Sequence, residues 1–422
     1  MQVVHLRVDD ADTGQATPVR LRLTTPEGTY LPPLGRLAEF PLADGVAAGG
    51  NVRIAGRAFA YVDGACEVRL PAGPVQVEVH KGPEYRPLQT TILRPPGKIS
   101  LRLSLSRLVR LEESGWYAGD THAQFLSPAA AALEGAAEGL HLVQVLASRE
   151  EHEGQEVYPG LLDFSGRKVA ASLERCQVAV NTLNRADSGA ALALLHAHRI
   201  VFPLRLGQEG FEHYTLADWC RQCHRKGGLV VQVRFPQGFD EGNLDLYRGS
   251  VDALEWTGDD PFEEGLRLWY RLLNHGLRLP LVGGSGKRGN GSVLGDPRTY
   301  AQLAAGQPFG YSPWIEAVRA GRTFATRGPL LRFEVGGRGP GAVLFRSAAP
   351  QAEKLLLRAS LWVTDPGQTL EIVRDGEVVA RGPGDGTLEA ELPASAPCWL
   401  AARCRDRDQG RLTAHTSPVY VT

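Results

Sequence analysis

The 422-residue chain lacks an excess of charge of either sign and lacks any long apolar run. It has 46 basic and 47 acidic residues, which gives a formal net charge of −1. Without such an excess, the composition gives no reason to expect nucleic acid or an anionic membrane as a partner. No stretch reaches the ~18 consecutive apolar residues of a membrane span, and no signal-peptide pattern is present. We therefore expect a globular, cytoplasmic protein of two or three domains.

Cysteine is also scarce, and its spacing excludes a dense disulfide framework. The six cysteines are Cys66, Cys176, Cys220, Cys223, Cys398 and Cys404. Cysteines scattered through a long chain predict reduced thiols. The C-x-x-C pair at Cys220 and Cys223 has no second pair to complete a zinc site. Since both thiols fall on the apolar side of a predicted helix, we expect them to be core residues.

Two common catalytic patterns are missing as well. The chain has no G-x-S-x-G segment, so nothing indicates a nucleophilic serine. The glycine-rich segment at 283–292 lacks the spacing of a phosphate-binding loop. That segment instead predicts a mobile loop beside a pocket.

Three regions of different pattern predict three domains, at residues 1–110, 111–328 and 329–422. The first and last regions consist of short segments in which apolar and polar residues alternate, separated by turn residues. A period of two at this turn spacing predicts an antiparallel β-sandwich in each. In the last region, the pair Asp375-Gly376 predicts a hairpin turn.

The middle region alternates strand-like apolar runs with helical patterns. Residues 190–198 predict a helix, and residues 216–228 predict a helix with a glycine stop that runs into a buried strand at 229–233. Repeated βα units of this kind predict a barrel or a doubly wound sheet. We expect a functional site at the carboxyl ends of its strands.

The segment G-W-Y-A-G-D-T-H-A-Q at 115–124 resembles the opening motif of the PHP-type (polymerase and histidinol phosphatase) domain of CehA/McbA-like metallohydrolases. Stretches at 223–236, 279–285 and 314–331 resemble the same family in order. The resemblance implies a distorted (β/α)₇ barrel between two β-sandwiches. It also implies two or three divalent metals at the strand ends, where they hydrolyse ester, amide, carbamate or phosphoester bonds.

Most of the ligands implied by this resemblance are replaced. Asp120 and His122 remain, and they are the candidate metal ligands and catalytic residues. The replaced or neighbouring positions form the candidate pocket: Gln124, Ser148, Arg149, Arg234, Ser285 and Gly286. Two remaining ligands are fewer than the three protein ligands of a catalytic zinc site. The sequence therefore predicts no cofactor.

Three functions stay open at this stage. The first is an inactive homologue of metal-dependent hydrolases that binds an unknown small molecule or protein partner. The second is a hydrolase with a single zinc or manganese, held by Asp120, His122 and a loop acid such as Glu150 or Glu153. The third is a scaffold whose sandwiches form an oligomeric or partner surface.

Two further residues have competing interpretations. Arg298 is a candidate catalytic residue, since it could bind an anionic group, but it could equally pair with a structural carboxylate such as Glu84. His415 lies in the last β region, where we expect a structural hydrogen bond.

Overall fold

The computed structural model consists mostly of strands. It describes residues 1–35, 40–41, 47–187, 189–207, 210–234, 245–246, 248–258, 262–345, 354–363, 367–384, 386–393 and 396–422. Of these residues, 47% are in strands and 13% in helices. In the described part of the chain, no helix is long and apolar enough to cross a bilayer.

The N-terminal region is built from ten strands of the described chain. They are β1 (Gln2–Asp10), β2 (Val19–Thr24), β3 (Phe40–Pro41), β4 (Ala47–Ala48), β5 (Asn51–Ile54), β6 (Arg57–Val62), β7 (Ala65–Leu70), β8 (Gly73–His80), β9 (Leu88–Arg94) and β10 (Ser100–Leu105). Sheets of order β10-β1-β7 and β5-β6-β2-β8-β9 share one apolar core. Alternate residues of β8 are buried, so the period of two in the sequence places one face of the strand in this core.

The middle region contains the four α-helices of the described residues. Its elements are β11 (Trp116–Ala123), α1 (Pro128–Ala137), β12 (Leu142–Ala147), β13 (Glu150–His152), β14 (Gln155–Val157), β15 (Ala171–Leu173), β16 (Cys176–Arg185), β17 (Ala191–Leu195), α2 (Leu216–Arg225), β18 (Leu229–Val233), β19 (Ala253–Thr257), α3 (Phe262–Asn274), β20 (Leu281–Gly284), β21 (Arg298–Gln302), α4 (Tyr311–Arg319) and β22 (Thr323–Thr326). Short 3₁₀ helices lie at Leu111–Ser114 and Leu161–Asp163.

The C-terminal region adds nine strands to the described structure. They are β23 (Leu330–Val335), β24 (Val343–Leu344), β25 (Lys354–Trp362), β26 (Gln368–Arg374), β27 (Glu377–Pro383), β28 (Thr387–Pro393), β29 (Cys398–Asp406), β30 (Leu412–Thr416) and β31 (Val419–Val421). The predicted hairpin at Asp375-Gly376 is confirmed: it joins the antiparallel strands β26 and β27, and both turn residues have positive φ.

The predicted (β/α)₇ barrel is wrong. The main path of the large sheet runs β20-β19-β18-β17-β16-β12-β11-β21-β22-β30-β29-β26-β27, and its middle part curls into a half-barrel. Strand β17 pairs antiparallel with both β16 and β18, which a repeated βα unit does not allow. The four α-helices of the described residues are too few to cover seven parallel strands.

The same finding argues against a TIM-like barrel and against a PHP domain. It also removes support for describing the chain as hydrolase-like or as an inactive relative of hydrolases, since both descriptions depended on that domain.

Strand β17 explains part of the error, because residues 190–198 were expected to be helical. All five of its residues are buried. A strand buried on both faces is apolar at every position, so its sequence pattern does not differ from that of a short buried helix. By contrast, the helix predicted at 216–228 is confirmed as α2. Its capping box joins Thr215 and Asp218.

One sheet also crosses the expected boundary at residue 328. Strand β22 pairs with β30, so the C-terminal strands extend the large sheet. The three-stranded sheet β23-β25-β28 packs against it, with Phe333 and Leu357 in the same core as Leu370 and Leu400. The last region therefore shares both a sheet and a core with the middle region.

Candidate functional site

The candidate site lies where the curled sheet brings the end of β11 beside the loop after β20. The amide of Gly286 donates to the carbonyl oxygen of His122 at 2.9 Å, and the amide of Gln124 donates to that of Lys287 at 2.8 Å. These two bonds hold the end of β11 in place. The side chains at the end of β11 and just after it thereby contact Ser148, which follows β12, Arg185 of β16 and Glu255 of β19.

Asp120 is fully buried, and its carboxylate binds backbone amides. Oδ1 accepts from the amides of His122 at 2.9 Å and Ser285 at 3.0 Å, and Oδ2 accepts from the amide of Gly295 at 2.7 Å. Burial raises the pKa of this carboxyl group. Since both oxygens are already bonded to the backbone, the side chain connects β11 to the loop at 285–295.

His122 is held by Glu255, a residue that sequence reasoning missed. The ring Nδ1 of His122 donates to Glu255 Oε1 at 2.9 Å, and Thr121 Oγ1 donates to Oε2 at 2.6 Å. Thr257 Oγ1 also donates to Oε1 at 2.7 Å. His122 Nε2 is buried and has no hydrogen-bond partner among the described residues. Glu255 could have been identified from the sequence, because it is an acid in the otherwise apolar segment A-L-E-W at 253–256 and a buried acid needs a partner.

Gln124 is the centre of a polar network that joins three strands. Its Nε2 donates to Ser148 Oγ at 3.2 Å, and its Oε1 accepts from Arg185 Nη2 at 3.1 Å. Ser148 Oγ and Arg185 Nη1 both donate to Glu150 Oε1, at 2.8 and 2.9 Å. The structure therefore brings together the predicted residues Gln124 and Ser148, and it adds Arg185 from the end of β16. That arginine was missed because nothing local marks it.

The remaining predicted pocket residues lie around this network. Arg149 pairs with Glu156 across the β13–β14 hairpin. Arg234 has an exposed side chain and a φ of 63°, and its amide donates to Thr257 Oγ1 at 3.2 Å. Phe235 and Pro236, which complete the stretch 223–236, lie outside the described residues.

Gly286 and Ser285 have backbone roles at this site. Ser285 Oγ donates to the carbonyl oxygen of His122 at 3.2 Å. Gly286 has a φ of 61°, and a Cβ there would lie 2.8 Å from Thr257 Cγ2. The position expected to hold an aspartate therefore favours glycine for both conformational and steric reasons.

Arg298 does not belong to the site. Its Nε donates to the carbonyl oxygen of Gly295 at 2.8 Å, and its Nη1 donates to that of Glu138 at 2.7 Å. Glu84, the suggested partner of Arg298, accepts from Tyr300 OH at 3.0 Å and from the Leu111 amide at 3.1 Å. The interpretation of Arg298 as a catalytic candidate has no geometric support, because its described contacts are structural.

The residues at the strand ends do not fit the metals that the resemblance implies. Within the described residues, no three His, Cys, Asp or Glu side chains are grouped so that they could hold an ion. Asp120 directs both oxygens at amides, and Glu150 is bonded to Arg185. His122 is one nitrogen donor, which is fewer than the three protein ligands of a catalytic zinc.

Three histidines outside the site have structural contacts. His196 Nε2 contacts Ser312 Oγ at 2.9 Å, and His198 Nδ1 contacts the carbonyl oxygen of Lys226 at 2.8 Å. His415 is buried between Tyr270 OH at 2.6 Å and the carbonyl oxygen of Thr416 at 2.7 Å. Burial lowers the pKa of His415 to about 3.

The predicted core positions of the cysteines are also observed. Cys220 and Cys223 lie on the buried face of α2. None of the six cysteines forms a disulfide.

Comparisons with known proteins do not identify a family for the chain. No family model matches it, and no curated protein matches it. Among solved structures, it is similar to one titled "Structure of the Streptococcal ancillary pilin", with 16% identity over 37% of this chain and 43% of the pilin chain. The TM-score of that match is 0.16, which is too low to support an inference about fold or function.

Proposed function

We propose that this chain is a non-catalytic binding protein whose ligand binds at the carboxyl ends of β11 and β12, around Gln124. The observation that carries the proposal is the network in which Gln124 is held between Ser148 and Arg185. Fixed donors and acceptors of this kind recognise a ligand without needing to activate water. A cytoplasmic location is part of the proposal, and fractionation of cells that express the native protein would test it.

The acid and base candidates support the absence of hydrolysis. Asp120 is bonded to three amides, and Nδ1 of His122 is bonded to Glu255. A general acid or base must lie within hydrogen-bond reach of the proton that it transfers. A carboxylate that is buried and fully bonded to the backbone does not meet this condition.

The test combines turnover and binding assays on the full chain. The protein is incubated with Zn²⁺ or Mn²⁺ and assayed with p-nitrophenyl acetate and bis-p-nitrophenyl phosphate. We expect no turnover above that of His122→Ala. A thermal-shift screen of metabolites should yield compounds that raise the Tm of the wild type but not of Gln124→Ala, because a bound ligand stabilises the folded state.

Gln409→Ala is the matched control, since Gln409 is exposed in the turn between β29 and β30. That variant should respond to the same compounds as the wild type. Metal-dependent turnover that His122→Ala abolishes would show that the proposed function is wrong.

A further inference from the structure

The carboxylate of Glu150 lies between two arginines in the arrangement that a bound anion would adopt. It accepts from Arg185 Nη1 at 2.9 Å and from Ser148 Oγ at 2.8 Å, and its Oε2 lies 3.5 Å from Arg288 Nη2. Two guanidinium groups and a hydroxyl are typical donors for a carboxylate or a phosphate. The chain therefore contains a complete oxyanion site that its own side chain occupies.

The charge around this site exceeds what Glu150 neutralises. Arg185 and Arg288 both face Glu150, and the positive charge of Arg234 also reaches Arg185. Burial lowers the pKa of Arg185, and the charges of Arg288 and Arg234 act in the same direction. One carboxylate against the two guanidinium groups of Arg185 and Arg288 leaves a positive surplus at the strand ends.

The neighbouring ion pairs do not remove this surplus. Arg149 pairs with Glu156, and Arg205 pairs with Asp187 at 2.8 Å. These two pairs, together with Glu151, line a cavity of about 560 Å³, and Arg205 forms a β-bridge with Arg185. A volume of this size accommodates a small organic molecule. Arg149 and Glu151, the chain neighbours of Glu150, both line the cavity, so it lies next to the oxyanion site.

The position of Glu150 in the chain also allows a ligand to displace its side chain from the two arginines. It begins β13, one strand of a two-stranded hairpin whose residues are mostly exposed. Isolated two-stranded hairpins are only marginally stable. A displaced Glu150 side chain would therefore enter solvent without disturbing the core.

We propose that the site of the proposed function binds a small organic anion, a carboxylate or a phosphate, which displaces Glu150 from between Arg185 and Arg288. This inference rests on the proposed function and names its ligand class. Glu150 acts as an internal competitor that lowers the affinity for the ligand. Removal of its charge should strengthen binding, which a purely structural ion-pair network does not predict.

The experiment is calorimetric titration of the full chain with inorganic phosphate and, separately, with succinate, at constant ionic strength. Arg185→Met and Arg288→Met should each weaken binding by about tenfold or more, because each removes a hydrogen bond between charged groups. Glu150→Gln should strengthen binding by about tenfold, because it removes a like charge from the site.

Glu150→Gln keeps the size of the side chain, and Arg288 is more than half exposed, so both variants should fold. Arg358→Met is the matched control, because Arg358 forms an exposed pair with Glu389 on β25 and β28. It should bind both probes as the wild type does. The tighter of the two probes identifies the anion class.

Failure of this inference differs from failure of the proposed function. If neither probe binds, or if Glu150→Gln binds no more tightly than the wild type, the anion site is wrong. If Arg358→Met weakens binding as much as Arg185→Met, the effect is general electrostatics and the inference is also wrong. The proposed function is refuted separately, by metal-dependent turnover.

Discussion

Replacement of Gly286 by alanine should lower the free energy of unfolding by about 2–5 kcal/mol. The φ of 61° costs a residue with a side chain about 1–2 kcal/mol relative to glycine. The new Cβ would also lie 2.8 Å from Thr257 Cγ2, and overpacking of this kind typically costs about 1–3 kcal/mol. Thr257 has little freedom to move away, because its hydroxyl donates to Glu255 and accepts from the amide of Arg234.

Thr257→Ser separates the two contributions. Serine keeps the hydroxyl and its hydrogen bonds but removes the methyl group that a Cβ at position 286 would meet. Alone, it should cost about 1 kcal/mol for the lost buried methyl. In the Thr257→Ser background, Gly286→Ala should cost only the conformational part, about 1–2 kcal/mol. The double-mutant cycle should therefore give a coupling energy of about 1–3 kcal/mol.

Urea unfolding, followed by the fluorescence of the seven tryptophans, would measure the free energy of unfolding of the wild type, the two single variants and the double variant. If Gly286→Ala costs the same in both backgrounds, the steric argument is refuted. Gly286→Asp extends the test to the residue that the metallohydrolase resemblance implies. If that variant is as stable as the wild type, the position can accept an aspartate and our account of the loop is wrong.

The remaining predictions concern protonation and thiol reactivity. Because the pKa of His415 falls from 6.5 to about 3 on folding, protonation below pH 6.5 favours the unfolded chain, and stability should decrease as the pH falls from 6.5 towards 3. Between pH 7 and pH 4, the free energy of unfolding of His415→Gln should fall by about 3 kcal/mol less than that of the wild type. Urea unfolding at both pH values measures this difference. An equal fall in both proteins would contradict the lowered pKa of His415. Burial raises the pKa of the Cys176 and Cys223 thiols to about 12, so the five buried cysteines should react slowly with Ellman's reagent at pH 8. Cys398 is half-buried and should react faster than the others, so Cys398→Ser should remove that faster reaction. Fast reaction of several thiols would exclude the described packing.

The elements that were predicted well have strong local signals. Helix α2 begins at a capping box formed by Thr215 and Asp218, and Gly227 follows its end with positive φ. These features act within a few residues, so the sequence determines them directly. The order and direction of strands depend on pairing between distant segments. The antiparallel position of β17 between β16 and β18 could not be derived from its apolar sequence.

The candidate site also combines residues that the sequence predicted with residues that distant strands contribute. Gln124 and Ser148 were placed in one pocket, and their side chains do form a hydrogen bond. Arg185 and Glu255 were missed because each reaches its partner, Gln124 or His122, from a distant strand. Arg298 follows a strand end that was expected to line the pocket, but its side chain points to the carbonyl oxygens of Gly295 and Glu138. Residue type at a strand end therefore does not decide where a side chain is directed.

The pairing of β22 with β30 has a consequence for the order in which the protein forms during synthesis. Strand β30 leaves the ribosome after all four described helices and after most of the strands. Until then, one edge of β22 lacks its final neighbour, and an open edge can pair with other chains. Contacts between distant segments also slow folding. A nascent or truncated chain that ends near residue 328 should therefore aggregate more readily than the full chain and should require chaperone protection.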